Sequence, residues 1–176
     1  FEGRRSQVID SLGNSIVVLK STAPCSFNRH EFRANNYFYY LTGYEAAGSY
    51  AILSHDPQQK FTLSLPPESI RSLIYSGGEL PAEEIQEQYG PDNLVSYKEV
   101  RALMDSLVQS GATIYSDHSD LAFLAELHRM AGDDESTQFR DIATLVDEMR
   151  VIKESMEVEK LQKACNITAR ALTIVM

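Results

Sequence analysis

The densest set of chemically capable side chains lies at Asp117-His118, with Asp120 two residues further on. Carboxylate and imidazole groups are common ligands of divalent metal ions. Successive side chains on a turn between a strand and a helix point apart, so three groups at this spacing rarely converge on one ion. We therefore favour a capping role for this segment, with Ser119 as the predicted N-cap of the helix that follows.

The remaining histidines and the cysteines do not form a recognisable site. His30, His55 and His128 stand alone, and the sequence contains no HExxH, P-loop or GxSxG pattern. Cys25 and Cys165 lie far apart and form no CxxC pair, which favours reduced thiols in a cytoplasmic protein over a zinc site or a disulfide framework. The sequence thus predicts neither a complete active site nor a bound metal or other cofactor within this chain.

An aromatic run at residues 37–40 follows an arginine, Arg33. One interpretation is a platform on which a substrate or a base stacks. The other, which we favour, is a helical turn packed under a sheet with its phenol tips at the surface. Arg33 can hold a substrate carboxylate, although anchoring its own loop is the more ordinary use of such a side chain.

Composition narrows the classes of partner. The chain has 176 residues, 43% of them hydrophobic, which suits one globular domain with a short excess. Its formal net charge of −9 argues against nucleic acid, because phosphate neutralisation needs clustered lysine and arginine. No apolar stretch approaches the roughly 20 residues of a membrane span, so we expect no membrane partner.

Hydrophobic periodicity predicts the elements that would position these residues. We expect a helix over 4–12 that stops at Gly13, a buried strand over 16–19, and two strands over 50–53 and 61–65 joined by a turn at 55–59. Further helices are predicted from Pro81 to residue 89, over 100–108 and over 121–127, the last carrying Leu121, Leu124 and Leu127, with a strand over 113–115 between the second and third.

The alternation of strands and helices predicts an α/β fold with a mixed β-sheet flanked by helices, because the turn at 55–59 adds an antiparallel pair. A separate helical stripe from Ser155 to Val175 reaches the end of the sequence without a capping residue. We expect this last helix to be truncated.

Three stretches carry a resemblance to a known family. RANNYFYYLTGY at 33–44 resembles a segment of the N-terminal domain shared by aminopeptidase P, prolidase and creatinase, in which an arginine precedes an aromatic-Tyr-Leu-Thr-Gly-aromatic run. RVIKESMEV at 150–158 is similar to the junction at which the family's pita-bread catalytic domain begins, with Glu154 where serine or aspartate is usual. IYSG at 74–77 is similar to the family's Ile-Trp-x-Gly element, with Tyr75 in place of tryptophan.

The resemblance implies an N-terminal α/β domain over 1–135, followed over 136–176 by a linker and the first helix of the catalytic domain. It implies a parent hydrolase, an Xaa-Pro metallo-aminopeptidase, whose two divalent ions, with manganese expected, are held by two Asp, one His and two Glu beyond Met176. The resemblance also makes Tyr75, Arg33 and Asn36 candidates for substrate access or subunit contact.

The partners that the resemblance implies are the chain's own catalytic domain, proline-containing peptides and further subunits of a homo-oligomer, with a homodimer expected. Two other interpretations stay open. One is the N-terminal domain of an Xaa-Pro dipeptidase, or prolidase. The other is a catalytically dead module that binds peptides or acts like a chaperone, in which the acidic surface would bind a basic partner.

Overall fold

A computed structural model describes residues 1–21, 33–67, 80–132 and 137–176. The chain divides into two compact units, Phe1–Ala143 and Thr144–Met176. In chain order, the elements that lie in the first unit are α1 (Glu2–Leu12), β1 (Ile16–Lys20), α2 (Asn36–Thr42), β2 (Tyr50–Leu53), β3 (Phe61–Ser64), α3 (Ala82–Tyr89), β4 (Asn93–Val95), α4 (Tyr97–Gln109), β5 (Ile114–Ser116), α5 (Leu121–Ala131) and β6 (Phe139–Asp141). Helices α6 (Ala143–Val151) and α7 (Ser155–Val175) follow.

The described strands form one sheet in the order β4-β3-β2-β1-β5-β6. Strand β2 runs antiparallel to both β1 and β3, whereas β1 and β5, β5 and β6, and β3 and β4 are parallel pairs. The register places Val17 opposite Leu53 on one side of β1 and Ile16 opposite Ile114 on the other. The sheet is therefore mixed, which confirms the predicted fold class.

Both faces of the central strand β1 are buried, so the strand consists of consecutive apolar residues instead of alternating ones. One face packs against α4 and α5 in a single apolar cluster. Its buried members are Ile16, Val18, Tyr50, Ile52, Val100, Met104, Val108, Ile114, Phe123 and Leu127. Helix α2 contacts β1 and α1, and its buried residues Phe38 and Leu41 are fully enclosed.

A buried arginine joins three elements at the N-terminal side of the domain. Arg5 is only 6% exposed, and its Nη1 donates to the carbonyl oxygen of Leu41 while its Nη2 donates to that of Tyr89, each at 3.2 Å. Its guanidinium carbon lies 4.2 Å from the centroid of the Phe61 ring. Burial lowers the pKa of Arg5, and the nearby carboxylates of Glu2 and Asp92 partly oppose that shift. Helix α1 is thus held to the C-terminal ends of α2 and α3.

The structure confirms most of the predicted elements and corrects two details. Asp120, not Ser119, is the N-cap of α5, because its side-chain Oδ1 accepts from the backbone N–H of Phe123 at 3.0 Å. Leu121 was expected on the buried stripe of that helix but is 73% exposed, and Phe123 and Leu127 face the core instead. The predictions that concern Cys25, His30 and Tyr75 fall outside the described residues.

Strands β4 and β6 were not predicted. Both are three residues long and only partly buried, and they lie at the two edges of the sheet. Because β6 pairs with β5, sheet structure continues past residue 135. The predicted start of a catalytic domain at residue 136 concerns the whole protein and stays a prediction.

The second unit is dominated by α7. Glu154 and Glu157 form a capping box at its start, in which the side chain of Glu157 accepts from the backbone N–H of Glu154 at 2.9 Å. None of the residues of α7 is buried, and several large apolar side chains on it are more than half exposed. In the described part of the chain no helix combines the length and the apolar character that crossing a membrane requires.

Candidate functional site

The connections after β1 and β5 leave the sheet in opposite directions. These two strands are parallel neighbours, but β1 continues to β2 on one side while β5 continues to β6 on the other. Where neighbouring connections diverge in this way, a crevice opens outside the carboxyl ends of the strands, and ligands of α/β proteins commonly bind there. The topology therefore predicts a binding site at the carboxyl ends of β1 and β5.

A cavity of about 340 Å³ lies beyond the carboxyl ends of β1 and β5. Its described lining residues come from the segment that enters α2 and from the turn after β5; they are Arg33, Ala34, Asn35, Asn36, Tyr37, Asp117 and Ser119. The fold therefore brings Arg33 and Asn36, both predicted site residues, together with two residues from the Asp117–Asp120 turn. The third predicted site residue, Tyr75, lies outside the described residues.

The entry into α2 is fixed by Asn35, which the sequence interpretation missed. Its Oδ1 accepts from the backbone N–H of Phe38 at 2.7 Å, which caps the helix, and its Nδ2 donates to the carbonyl oxygen of Lys20 at 2.9 Å. The signal that points to it is an asparagine directly before a helical aromatic run. Asn35 thereby holds one wall of the cavity against the end of β1.

The exit from α2 explains the Thr-Gly pair of the 33–44 motif. The Thr42 hydroxyl donates to the carbonyl oxygen of Phe38 at 2.8 Å and also accepts from the backbone N–H of Tyr44 at 3.0 Å. Gly43 has φ 70°, a left-handed conformation that ends the helix and favours glycine. A Cβ at Gly43 would lie 2.5 Å from the ring of Phe1. The pair is therefore a structural helix stop.

The burial of the aromatic residues on α2 distinguishes between a stacking platform and a packed helical turn. Phe38 is fully buried and Tyr40 is nearly so, whereas Tyr39 is 38% exposed and packs edge-on against the ring of Phe1. Two of the four residues, Phe38 and Tyr40, thus lie in the core while Tyr37 is half-buried, which agrees with the packed helical turn that we favoured. Only Tyr37 of these aromatic residues lines the cavity.

Arg33 presents an uncommitted guanidinium to the cavity. Its Nη2 donates to the Oδ1 of Asn36 at 3.2 Å, and within the described ranges it makes no ion pair. A planar guanidinium carries five N–H donors, so one neutral contact leaves most of its capacity open. Arg33 therefore supplies a positive charge that can receive a carboxylate or another anion.

Asp117 supplies a negative charge on the same cavity. It is 4% exposed, and its Oδ1 accepts from both the backbone N–H of Ser119 at 2.9 Å and the Ser119 hydroxyl at 2.5 Å. Among the residues with a described placement, no cation pairs with it. The hydroxyl that was expected to cap α5 is instead committed to this carboxylate.

In the described part of the chain, buried polar side-chain atoms that have no hydrogen-bond partner there lie at the carboxyl ends of β1 and β5. They include the Oγ atoms of Ser21 and Ser116 and the Nε2 atom of His118. Buried polar atoms in folded proteins are normally satisfied by protein, water or a ligand. The carboxyl ends of β1 and β5 therefore offer hydrogen-bonding atoms that suit a polar ligand.

A second polar cluster surrounds the side chain of Lys20. The Nζ of Lys20 lies 2.9 Å from Oε2 of Glu126, and Arg101 pairs with the other oxygen of that carboxylate. Lys20 also lies 5.4 Å from the centroid of the Tyr50 ring. Burial raises the pKa of Tyr50, and the positive charge of Lys20 partly opposes that shift. This cluster ties β1 to α4 and α5.

The described residues include no group of three or more His, Cys, Asp or Glu side chains that could hold a metal ion. In particular, Asp117 and Asp120 are used as acceptors for backbone N–H groups of Ser119 and Phe123. The arrangement can bind and orient charged groups, but it does not assemble a metal centre from these residues.

Comparisons with known proteins agree with one another. Residues 1–115 match the model of the family described as "Aminopeptidase P, N-terminal domain". The chain is similar to a probable Xaa-Pro aminopeptidase of Podospora anserina, with 31% identity over 155 residues that cover 85% of this chain and 32% of that protein. It is similar to one from Emericella nidulans, with 31% identity over 79% of this chain and 30% of that protein. The chain thus spans about a third of the length of these relatives.

Solved structures share the fold. The aminopeptidase PepP of Pseudomonas aeruginosa superposes with a TM-score of 0.79 at 19% identity, over 97% of this chain and 42% of that one. Zinc-substituted aminopeptidase P of E. coli, solved in complex with product, superposes with a TM-score of 0.77 at 21% identity, over 98% of this chain and 43% of that one. On the strength of the family match over most of its length, this chain belongs to the aminopeptidase P N-terminal domain family.

Proposed function

We propose that this chain is the non-catalytic N-terminal part of an Xaa-Pro aminopeptidase, a hydrolase that releases an N-terminal residue preceding proline. The observation that carries the proposal is the family match over residues 1–115, in a chain that spans about a third of relatives named as Xaa-Pro aminopeptidases. The activity then belongs to the parent protein.

The proposed reaction uses two divalent ions, with manganese as the expected metal, held by residues outside this chain. Such ions lower the pKa of a bound water and stabilise the developing oxyanion. The residues described here offer no cluster that fits them, so we assign no step through a metal to this chain.

In this proposal the N-terminal domain shapes the substrate entrance and contributes to subunit contacts in a cytoplasmic homo-oligomer. Arg33 and Asn36 support this role because they lie on an open cavity wall instead of in the core. Tyr75 is proposed by resemblance alone. The exposed apolar residues of α7, among them Leu161 and Leu172, support packing of that helix against the remainder of the catalytic domain, of which it would be the first helix.

Two alternatives are compatible with the same domain. An Xaa-Pro dipeptidase would use the domain to limit how long a substrate can be. A protein that has lost its metal ligands would use the domain in peptide binding. The residues that follow Met176 in the whole protein discriminate between them, because a hydrolase requires two Asp, one His and two Glu in family order.

The test is an assay of the full-length protein on Xaa-Pro peptides of two to six residues, with and without added manganese. We expect metal-dependent release of the first residue from the longer peptides, and no release by the 176-residue chain alone. Cleavage restricted to dipeptides would favour prolidase. Turnover by the isolated chain, or none by metal-loaded full-length protein, would refute the proposal. Sedimentation of the full-length protein tests the homo-oligomer separately.

A further inference from the structure

We propose that the cavity at the carboxyl ends of β1 and β5 binds a small zwitterion, a ligand that carries one carboxylate and one ammonium group, such as an amino acid or a short unblocked peptide. The proposal does not rest on the hydrolase activity. It concerns residues of the first unit only and would stand if the parent protein cleaved nothing.

The first argument is the pair of opposite charges on one cavity. Arg33 and Asp117 both line it, yet within the described ranges they pair neither with each other nor with any other charged side chain. Among the described residues, Arg33 has one side-chain hydrogen bond, to the neutral Asn36, and the Asp117 carboxylate has its bonds from Ser119. Each charge therefore has capacity left for a ligand.

The second argument is the burial of Asp117. A carboxylate that is 4% exposed and has no cation beside it in the described ranges is costly to bury, and two hydrogen bonds to a single oxygen offset only part of that cost. An ammonium group of a ligand would complete its environment. Arg33, at the more exposed part of the wall, matches a carboxylate through two parallel N–H donors.

The third argument is that a zwitterion satisfies both charges at once. A purely anionic ligand would meet Arg33 but also Asp117 and the net charge of −9, whereas a purely cationic one would leave Arg33 unused. A ligand without net charge avoids the repulsion and keeps both contacts.

The size and position of the cavity agree with this ligand class. Its volume of about 340 Å³ lies at the small end of the range for ligand pockets, roughly 300 to 1,000 Å³. Ala34 and Tyr37 add apolar surface to the wall. The cavity also lies where diverging connections favour a binding crevice.

The experiment titrates this chain with glycine, dialanine and trialanine, by calorimetry and by amide chemical shifts in NMR spectra. Each compound is compared with its N-acetylated form, which lacks the ammonium group, and with its C-amidated form, which lacks the carboxylate. We expect saturable binding of at least one free zwitterion and at least about tenfold weaker binding of both its blocked forms. No saturation by any free compound up to about 10 mM, or equal binding of a blocked form, would overturn the proposal.

Two variants assign the charges. Arg33→Gln should weaken binding of the free zwitterion at least about tenfold and leave binding of its C-amidated form unchanged. Asp117→Asn should also weaken binding of the free zwitterion at least about tenfold, but leave binding of its N-acetylated form unchanged. Arg140→Gln and Asp105→Asn, which change exposed residues outside the cavity, serve as matched controls and should bind like the parent chain. Circular dichroism checks each fold. Should Asp117→Asn not fold, the Arg33 variant with the blocked ligands still decides, because unchanged binding there refutes the proposal.

Discussion

The side-chain amide of Asn35 donates to the backbone carbonyl of Lys20 across 2.9 Å and so connects the start of α2 to the end of the central strand. The same side chain caps α2 through its oxygen. One residue thus holds together the two segments between which the polar cavity opens.

Replacing Asn35 by alanine should therefore destabilise the domain. Loss of a helix cap costs roughly 0.5–2 kcal/mol, and the freed carbonyl of Lys20 adds to it, so we expect the free energy of unfolding to fall by about 2 kcal/mol. That corresponds to a melting temperature lower by about 4–8 °C. Asn36→Ala is the matched control, because the side chain of Asn36 is exposed and accepts a hydrogen bond from the exposed Arg33, so this variant should shift the melting temperature little. Equal shifts for both variants would contradict the assigned role.

Gly43 and Gly3 should respond in opposite ways to alanine. Gly43→Ala forces a side chain into a left-handed conformation and toward the Phe1 ring, which should cost about 1–2 kcal/mol even if that ring moves aside. Gly3 is the second residue of α1 and has open space around its Cα, so Gly3→Ala should raise the free energy of unfolding by up to roughly 0.5 kcal/mol, the low end of the range for a helix interior. Chemical denaturation measures both. A neutral Gly43→Ala would show that the helix stop tolerates a side chain.

Removing the guanidinium of Arg5 should be among the most damaging single changes. Arg5→Met keeps much of the packing on Phe61 but leaves the carbonyls of Leu41 and Tyr89 without their donors. We expect a loss on the order of 3 kcal/mol in the free energy of unfolding. Arg140→Met, at an exposed position on β6, should change it by less than about 0.5 kcal/mol. Similar losses for the two variants would argue against the buried contacts.

Alkaline stability should depend on Tyr50. Its pKa in the folded chain is raised by burial above the ordinary value of 10.0, so the unfolded chain loses this proton first. The contribution of Tyr50 to the free energy of unfolding is therefore fully present below pH 10.0, and it is lost as the pH rises through the pKa of Tyr50 in the folded chain. Tyr50→Phe should make that fall shallower, as measured by urea unfolding at a series of pH values. The same comparison at pH 7 is the control, and an unchanged alkaline slope would exclude Tyr50 as its source.

The sequence predicts the long elements of this domain because their signals are local. Apolar spacing locates α4, and the Asp56-Pro57 turn joins β2 to β3. Strands β4 and β6 escape prediction because three half-buried residues carry no period; their pairing partners in the sheet define them. The N-cap of α5 was misassigned because Ser119 and Asp120 are both good capping residues, and only the bond of Ser119 to Asp117 decides between them.

The candidate site was half predictable. Arg33 and Asn36 stand out from the motif at 33–44, whereas Asp117 and Ser119 were interpreted only as part of a helix cap. Nothing local places these two pairs on one cavity. Their meeting follows from the parallel pairing of β1 with β5, which a single sequence does not display.

That pairing also bears on how the chain reaches its native state. It joins Ile16 to Ile114, whereas β2 and β3 pair with each other across a short turn. Because closing a long loop carries a larger entropic penalty than closing a hairpin, we expect the seam between β1 and β5 to form late and to set the refolding rate. During synthesis β1 is made well before β5. The backbone hydrogen-bonding groups along the β5-facing edge of β1 therefore stay unpaired in the meantime and can pair with another exposed strand.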